Sequence, residues 1–294
     1  MTFLRDAASA SIRGVFRAPE NAPPWATDDP DAGLFGPDSV TWRVHGHLSV
    51  LVGGVRALLV QTLHPLAMAG VAQHSQYRTD PLGRLGRTAA FVGITTYGTT
   101  TEADAAIAMV RNVHQRVRGV APDGRAYTAN DPELLAWVHY VEVQSFLLAY
   151  QRIGPGLTPA DADRYVAEMS RFGARMGVRE SLTTTAALHE WVDDHPEQRV
   201  TGDARAAVRF LLWPALPVAV RGPYTVLLAA AISLIPFRQR LALGLVIPGP
   251  VAGRVVCEPA ARALVGALGW TLGPSPALRA AHARVDPETQ LEPA

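Results

Sequence analysis

At 294 residues, 48% hydrophobic and 18% charged, the chain is long enough to bury a core without disulfide staples. Its one cysteine, Cys257, excludes an intrachain disulfide and any Cys₂His₂ or Cys₄ zinc site. All 27 basic residues are arginines, the net charge is +1 and no arginine stripe forms. Nucleic acid is therefore unsupported as a partner, and the absence of lysine excludes Schiff-base chemistry and a phosphate-loop lysine.

Residues 1–37 are rich in Pro, Asp, Ala and Gly and read as an irregular N-terminal arm. Arg5, Asp6 and Arg13 interrupt the start, which lacks the apolar region of a signal peptide; the default location is the cytoplasm. From Asp38 onward helical signals dominate, and the spacing predicts an all-α domain over 38–285 with a frayed tail at 286–294.

Asp38 or Ser39 can cap a first helix carrying Val44, Leu48, Leu51, Val55, Leu58 and Leu59, which His64-Pro65 ends or kinks. Pro65 and Pro81 can each open a helix. Thr101 with Asp104 resembles a capping box for a helix whose inner face carries Ile107, Val110, His114 and Val117, and Gly119 is a natural stop. Asp131-Pro132-Glu133 starts a helix to about Arg152 that is apolar on nearly all sides, hence central. Further helices are expected from Thr158 to about Gly177 and at 184–195, 202–213, 218–235, 238–247, 252–268 and 275–284, with strand patterning almost absent. The stretch 209–256 is the most apolar, but its longest clean run, Tyr224 to Phe237, is too short for a span of ~20 residues. Packed core helices are the reading for it, and peripheral contact with a membrane stays open.

Nine histidines supply the first chemistry. His189, His195 and His282 sit in polar surroundings near helix ends and read as surface residues. His45 and His47 point to different faces. His114 and His139 occupy inward positions, and a buried imidazole must find a partner for each nitrogen or lose ~1–3 kcal/mol. From the residues alone a satisfied core histidine is the stronger reading of His114, while a lone neutral histidine in an apolar pocket is also what a porphyrin iron needs. Glu142 beside His139 reads equally as tuning of a site or as a buried polar pair. Arg84 and Thr88 share a helical face. Arg84 could meet an anionic ligand, and the residues alone slightly favour pairing with Asp80. No G-x-S-x-G or H-E-x-x-H motif occurs. Iron held by His64, His74 and Asp80 is an alternative whose spacing is not diagnostic.

The blocks HPLAMAGVAQHSQYRTDPLGRLGRT, VHQRVRG and YTANDPELLAWVH, in this order, resemble the MpaB/rubber-oxygenase (latex-clearing protein) catalytic domain over roughly residues 38–270. The resemblance implies a single multi-helix domain with a globin-like core and haem b. It maps the iron-binding histidine onto His114 and an Arg-x-x-x-Thr pair beside the haem onto Arg84 and Thr88, reversing the preference stated for both. It implies an oxygenase using O2 or peroxide on a small apolar or prenyl-like substrate, with Arg87 and Thr88 on the distal side and His64 and His139 as candidates for distal hydrogen bonding or a second ligand. Rubber oxygenases carry a lysine just before that threonine. Here it is Arg87, which stays protonated and is a poor iron ligand. A helical protein that binds lipid or a membrane surface without catalysis, having lost its cofactor, is the alternative of a different class.

Overall fold

The computed structural model describes residues 30–286, so the expected arm and tail fall largely outside the described residues. The fold is mainly helical, as the pattern predicts. The helices are α1 Val40–Gly46, α2 Val50–Gln61, α3 Pro65–His74, α4 Pro81–Tyr97, α5 Thr100–His114, α6 Pro132–Arg152, α7 Pro159–Met176, α8 Thr185–Asp193, α9 Gly202–Leu212, α10 Val218–Ser233, α11 Phe237–Ala242, α12 Pro250–Ala252, α13 Glu258–Leu272 and α14 Pro276–Val285. A π-helical turn, Gly253–Cys257, joins α12 to α13. The chain forms two compact units. Of the described residues, one gathers 30–46, Gln76–Val110 and 266–286; the other gathers His47–Ser75 and Arg111–Val265.

The first unit closes around Trp42, Tyr97, Ala277 and Ala281, with Phe35, Leu278 and Val285 packed against them. Its polar groups are paired across long sequence separations. Trp42 Nε1 donates to the Thr96 carbonyl (2.9 Å), and buried Arg284 donates to the carbonyls of Asp31 and Tyr97 (both 2.8 Å). The Asp31 carboxylate accepts from the backbone N–H of Thr100 (2.6 Å) at the start of α5.

In the second unit α6 is central, as its all-round apolar pattern predicts: fourteen of its twenty-one residues are buried. It packs on α2, where Gly53 allows the helices to close. A Cβ there would sit 2.7 Å from Phe146 Cδ1 and 2.9 Å from the Ser145 carbonyl. Val52, Ala149, Ile153, Ala230, Ala231, Ala261 and Val265 then join α2, α6, α10 and α13 in one apolar cluster.

Four local expectations are corrected. The first predicted helix is two, α1 and α2, because the chain turns at 47–49, where His47 Nδ1 accepts the Ser49 N–H (3.1 Å). The capping box of α5 lies two residues earlier than read. Thr99 N–H donates to Glu102 Oε2 (2.8 Å) and Glu102 N–H to Thr99 Oγ1 (3.1 Å), a reciprocal arrangement that satisfies two end donors. The same helix stops at His114 rather than Gly119, which lies in a strand. Asn130 Nδ2 takes the free Arg111 carbonyl (3.0 Å), and an antiparallel hairpin follows, β1 Arg118–Val120 with β2 Ala126–Thr128. Finally, among the described residues one unbroken helical stretch is long and apolar enough to cross a membrane, Pro250–Leu272, which lies outside the run Tyr224–Phe237 and of which little is buried. The reading of 209–256 as packed core holds only in part. Leu228, Ala230, Ala231 and Ile232 are buried, while Trp213, Val218, Phe237 and Ile247 are exposed.

Candidate functional site

Three groups of chemically capable residues stand out, one in the first unit and two in the second. In the first unit, Asp80 caps α4, accepting the Gly83 N–H (3.0 Å). Its other carboxylate oxygen pairs with Arg87 (3.2 Å), so the partner of Asp80 is Arg87, where the sequence pointed to Arg84. Arg84 is half-buried. Burial first, then the neighbouring Arg87 charge, hold its pKa below the usual guanidinium value, against the opposing influence of Tyr77. Thr88 is exposed, and its hydroxyl donates to the Arg84 carbonyl one turn back (3.1 Å). The three residues thus share one helical stretch, on which Leu82 and Leu85 are also exposed. Only its far end, Thr95 to Tyr97, is buried.

His114 is the last residue of α5 and belongs to the second unit. Its neighbours Val113 and Gln115 are exposed, whereas His114 and Val117 are half-buried, so the inward face predicted from the spacing is the more covered one. Burial lowers the imidazole pKa, which keeps the ring neutral. Among the described residues, Nδ1 of His114 is shielded from solvent and has no hydrogen-bond partner. A neutral ring with an unsatisfied, shielded nitrogen is suited to bind a metal or to accept a donor from a ligand. The residue would therefore suit a protein ligand to a haem iron.

Three further histidines, His64, His139 and His195, lie on an aromatic array through the second unit. His64 caps α3, its Nδ1 facing the Ala67 N–H at 3.5 Å. Its ring lies 5.7 Å from both Trp137 and His195, and His195 lies 4.7 Å from Trp191. Trp191 contacts Tyr140 (5.3 Å), and Tyr140 contacts His139 (4.9 Å). His64 and His139, singled out separately in the sequence, thus belong to one continuous set of rings. Burial drives both imidazoles down to about 4; for His64 the His195 charge adds to this, and for His139 a hydrogen bond to the Met169 backbone opposes it. Nε2 of His139 is buried without a hydrogen-bond partner among the described residues and lies against the α7 backbone, where a Cβ on Gly173 would fall 2.8 Å from it. Glu142, next to it on α6, is pushed up to about 7 by burial.

His189, His195 and His282 are half-buried, which corrects their reading as surface groups. His282 packs edge-on against Trp42 (5.1 Å), and His189 Nδ1 meets Gln144 Nε2 (3.0 Å). Behind Gln144 lies the feature that sequence reasoning missed. Arg56 is completely buried and donates to the Leu234 carbonyl (3.1 Å), Ser145 Oγ (2.7 Å) and Gln144 Oε1 (2.8 Å). Gln144 relays the charge to Asp193 (3.0 Å). An arginine between Val52 and Leu59 on an apolar helix face was the available signal.

The alternative iron site at His64, His74 and Asp80 does not form. His64 and His74 flank opposite ends of the ten-residue helix α3, ~15 Å apart along its axis, and His74 packs instead on Tyr127. Among the described residues no three of His, Cys, Asp and Glu gather to hold a metal ion. A porphyrin supplies four ligands itself, so this bears on the three-residue iron site alone.

Comparison with known proteins bears on all three groups. Residues 42–270 match the family described as "ER-bound oxygenase mpaB/B'/Rubber oxygenase, catalytic domain". Uncharacterised proteins of Mycobacterium bovis and Mycobacterium tuberculosis are each 25% identical over 174 residues, 55% of this chain and 67% of theirs. No solved structure matches. With more than half its length matched, the chain belongs to the MpaB/rubber-oxygenase catalytic-domain family.

Proposed function

We propose that this chain is a haem b-dependent oxidoreductase of the oxygenase type, with His114 as the protein ligand to the iron. Its substrate would be small and apolar or prenyl-like, and its oxidant O2 or peroxide. The observation that carries the reading is the His114 imidazole: neutral, at a helix end, with a shielded Nδ1 that has no hydrogen-bond partner among the described residues. Membership of an oxygenase family supports the reaction class. Bound haem would supply the redox-active iron at which the oxidant is activated.

The protein's own groups have separable tasks. Arg84, carried by the first unit, is half-buried and cationic and is suited to charge-assisted hydrogen bonds with a carboxylate, the role that the family resemblance gives it toward a propionate. Thr88 donates its hydroxyl proton to the Arg84 carbonyl, which leaves the oxygen lone pairs able to accept a hydrogen bond. Arg87, anchored by Asp80, keeps a fixed positive charge beside Arg84 and Thr88 and would be a poor ligand to iron. His64 and His139 are held neutral at pH 7, so each would offer a hydrogen bond at a ring nitrogen rather than a charge. A cytoplasmic location is part of the same proposal.

The test is the visible spectrum of protein purified from haem-replete cells. A Soret band is expected in the wild type, and in His114→Ala it should be lost or shifted. An unchanged spectrum in His114→Ala would remove His114 from the iron. A second reading, a lipid-binding protein without haem, is favoured by the exposed apolar side chains of the 209–256 stretch. It predicts vesicle binding with no Soret band under the same conditions.

A further inference from the structure

We infer that the second unit docks on anionic phospholipid bilayers through the edge formed by α11, the 245–251 segment and the π-helical turn, with an arginine-lined cavity there receiving a lipid phosphate. Three independent observations meet at this edge.

The first is charge. Between Asp203 and Glu258 the chain carries six arginines and no acidic residue: Arg205, Arg209, Arg221, Arg238, Arg240 and Arg254. The chain as a whole is balanced at +1, so this imbalance is local. The second is the apolar exposure. Phe237, Ile247 and Val251 are 63%, 80% and 72% exposed, more than scattered surface hydrophobes need to be. The third is a cavity of about 320 Å³ that Phe237 and Val251 line together with Arg152, Arg240, Arg254 and Glu258. Ile247 belongs to the same edge, because Arg240 donates to the carbonyls of Leu245, Val246 and Pro248 and ties that loop to α11.

The charges lining the cavity are unequal. Glu258 is taken up by a two-pronged bond from Arg152 (2.8 and 2.7 Å). Arg240 is buried with its donors on the backbone carbonyls of Leu245, Val246 and Pro248, while Arg254 is exposed with no carboxylate partner among the described residues, so Arg254 is the cation that the cavity presents to a phosphate. Guanidinium groups matched to phosphate beside exposed apolar side chains suit the headgroup layer of a bilayer. There the cations meet phosphates while the apolar groups enter the acyl boundary.

The same geometry argues for lying on the membrane rather than crossing it. Pro250–Leu272 is long and apolar enough to cross. Yet Arg254, Glu258 and Arg262 recur at four-residue spacing along it, Glu258 is held by Arg152 of α6, and Ala261 and Val265 are buried in the protein's own core. Charges in mid-bilayer are costly, and this helix is already bound on one face to α10 and α6.

The inference is independent of the haem reading, since vesicle binding can be read with or without haem. The experiment is flotation of the full chain with vesicles of pure phosphatidylcholine or of phosphatidylcholine with 30% phosphatidylglycerol. Binding is expected only to the anionic vesicles, with release as NaCl rises from 0.1 to 0.5 M. Phe237→Asp/Ile247→Asp and, separately, Arg254→Glu should each weaken binding at least tenfold. Arg118→Glu, in the hairpin, should bind like the wild type. All four side chains are exposed, and unchanged circular dichroism and melting temperature would show that the variants fold. Four results would overturn the inference: no binding to anionic vesicles; equal binding by both edge variants; binding of inorganic phosphate alone; or a concentration-dependent dimer abolished by Phe237→Asp/Ile247→Asp. Retention through high salt and alkaline extraction would point to a spanning helix and would also overturn it.

Discussion

Arg56 brings a full positive charge into the interior of the second unit while its three hydrogen bonds go to neutral oxygens. Burial lowers its pKa to about 10, against the opposing influence of Asp193, so it remains charged at neutral pH and depends on Gln144 to couple it to that carboxylate. Arg56→Ala should therefore cost ~3–5 kcal/mol in urea denaturation, because Gln144, Ser145 and the Leu234 carbonyl lose a common partner in the core. A loss below 1 kcal/mol would mean that water replaces the guanidinium. The contact of His139 with Gly173 makes a second prediction at this scale. Gly173→Ala should destabilise by ~1–3 kcal/mol through the collision of its methyl group with the imidazole. In a His139→Ala background most of that cost should vanish, and additive effects of the two substitutions would disprove the contact.

Helix ends account for much of the local order. The α5 start is held three ways, by Thr99, Glu102 and Asp31. Thr99→Ala removes one acceptor and should lower stability by ~1 kcal/mol, visible as a shift in denaturation midpoint without a change in slope. The α5 end matters for function, because Asn130 and the hairpin stop the helix at the residue proposed to bind iron. The hairpin itself is clasped to α3: Tyr127 OH donates to Gln73 Oε1 (2.6 Å), and Gln73 Nε2 donates to the Val120 carbonyl (3.0 Å). Asn130→Ala should leave folding largely intact, yet broaden or shift the Soret band if His114 holds the haem. An identical spectrum would separate the helix end from the cofactor.

Across the whole molecule, ionisation of buried groups sets the pH dependence of stability. His45, His64 and His139 are driven by burial to about 3, 4 and 4. Their folded pKa values lie below the unfolded value of 6.5, so the unfolded state binds more protons between those limits. The stability they contribute is present above pH 6.5 and is lost as pH falls toward 4. His47, His114, His189, His195 and His282 shift in the same direction. Glu142 does the opposite. Its folded pKa of about 7 exceeds the ordinary 4.5, so its contribution is full below 4.5 and is lost as pH rises through 7. Thermal melts should therefore be highest near pH 6.5, at about the point where these opposing effects balance. Glu142→Gln should raise stability above pH 7 by ~1–3 kcal/mol and change little at pH 4. A variant less stable than the wild type at pH 8 would refute the buried, neutral carboxyl.

Much of the helical order was readable along the chain because its determinants are local. Asp80-Pro81, Asp131-Pro132 and Thr158-Pro159 cap and open α4, α6 and α7 where the pattern places them, and the all-round apolarity of α6 marked it as central. The hairpin escaped because its strands are three residues long, too short for alternation to register, although Pro122-Asp123-Gly124 carried a turn signal. His114, Arg84 and Thr88 were legible as candidates from motif spacing, but which ring nitrogen lacks a partner depends on what packs around it. The Arg56 network joins residues up to 178 positions apart, and its partners acquire meaning only once α2, α6 and α8 are in contact. The membrane-facing edge follows the same logic. Composition marks 209–256 as apolar and free of acids, but burial depends on neighbours distant in sequence, so folding alone separates the side chains that join the core from those left facing solvent.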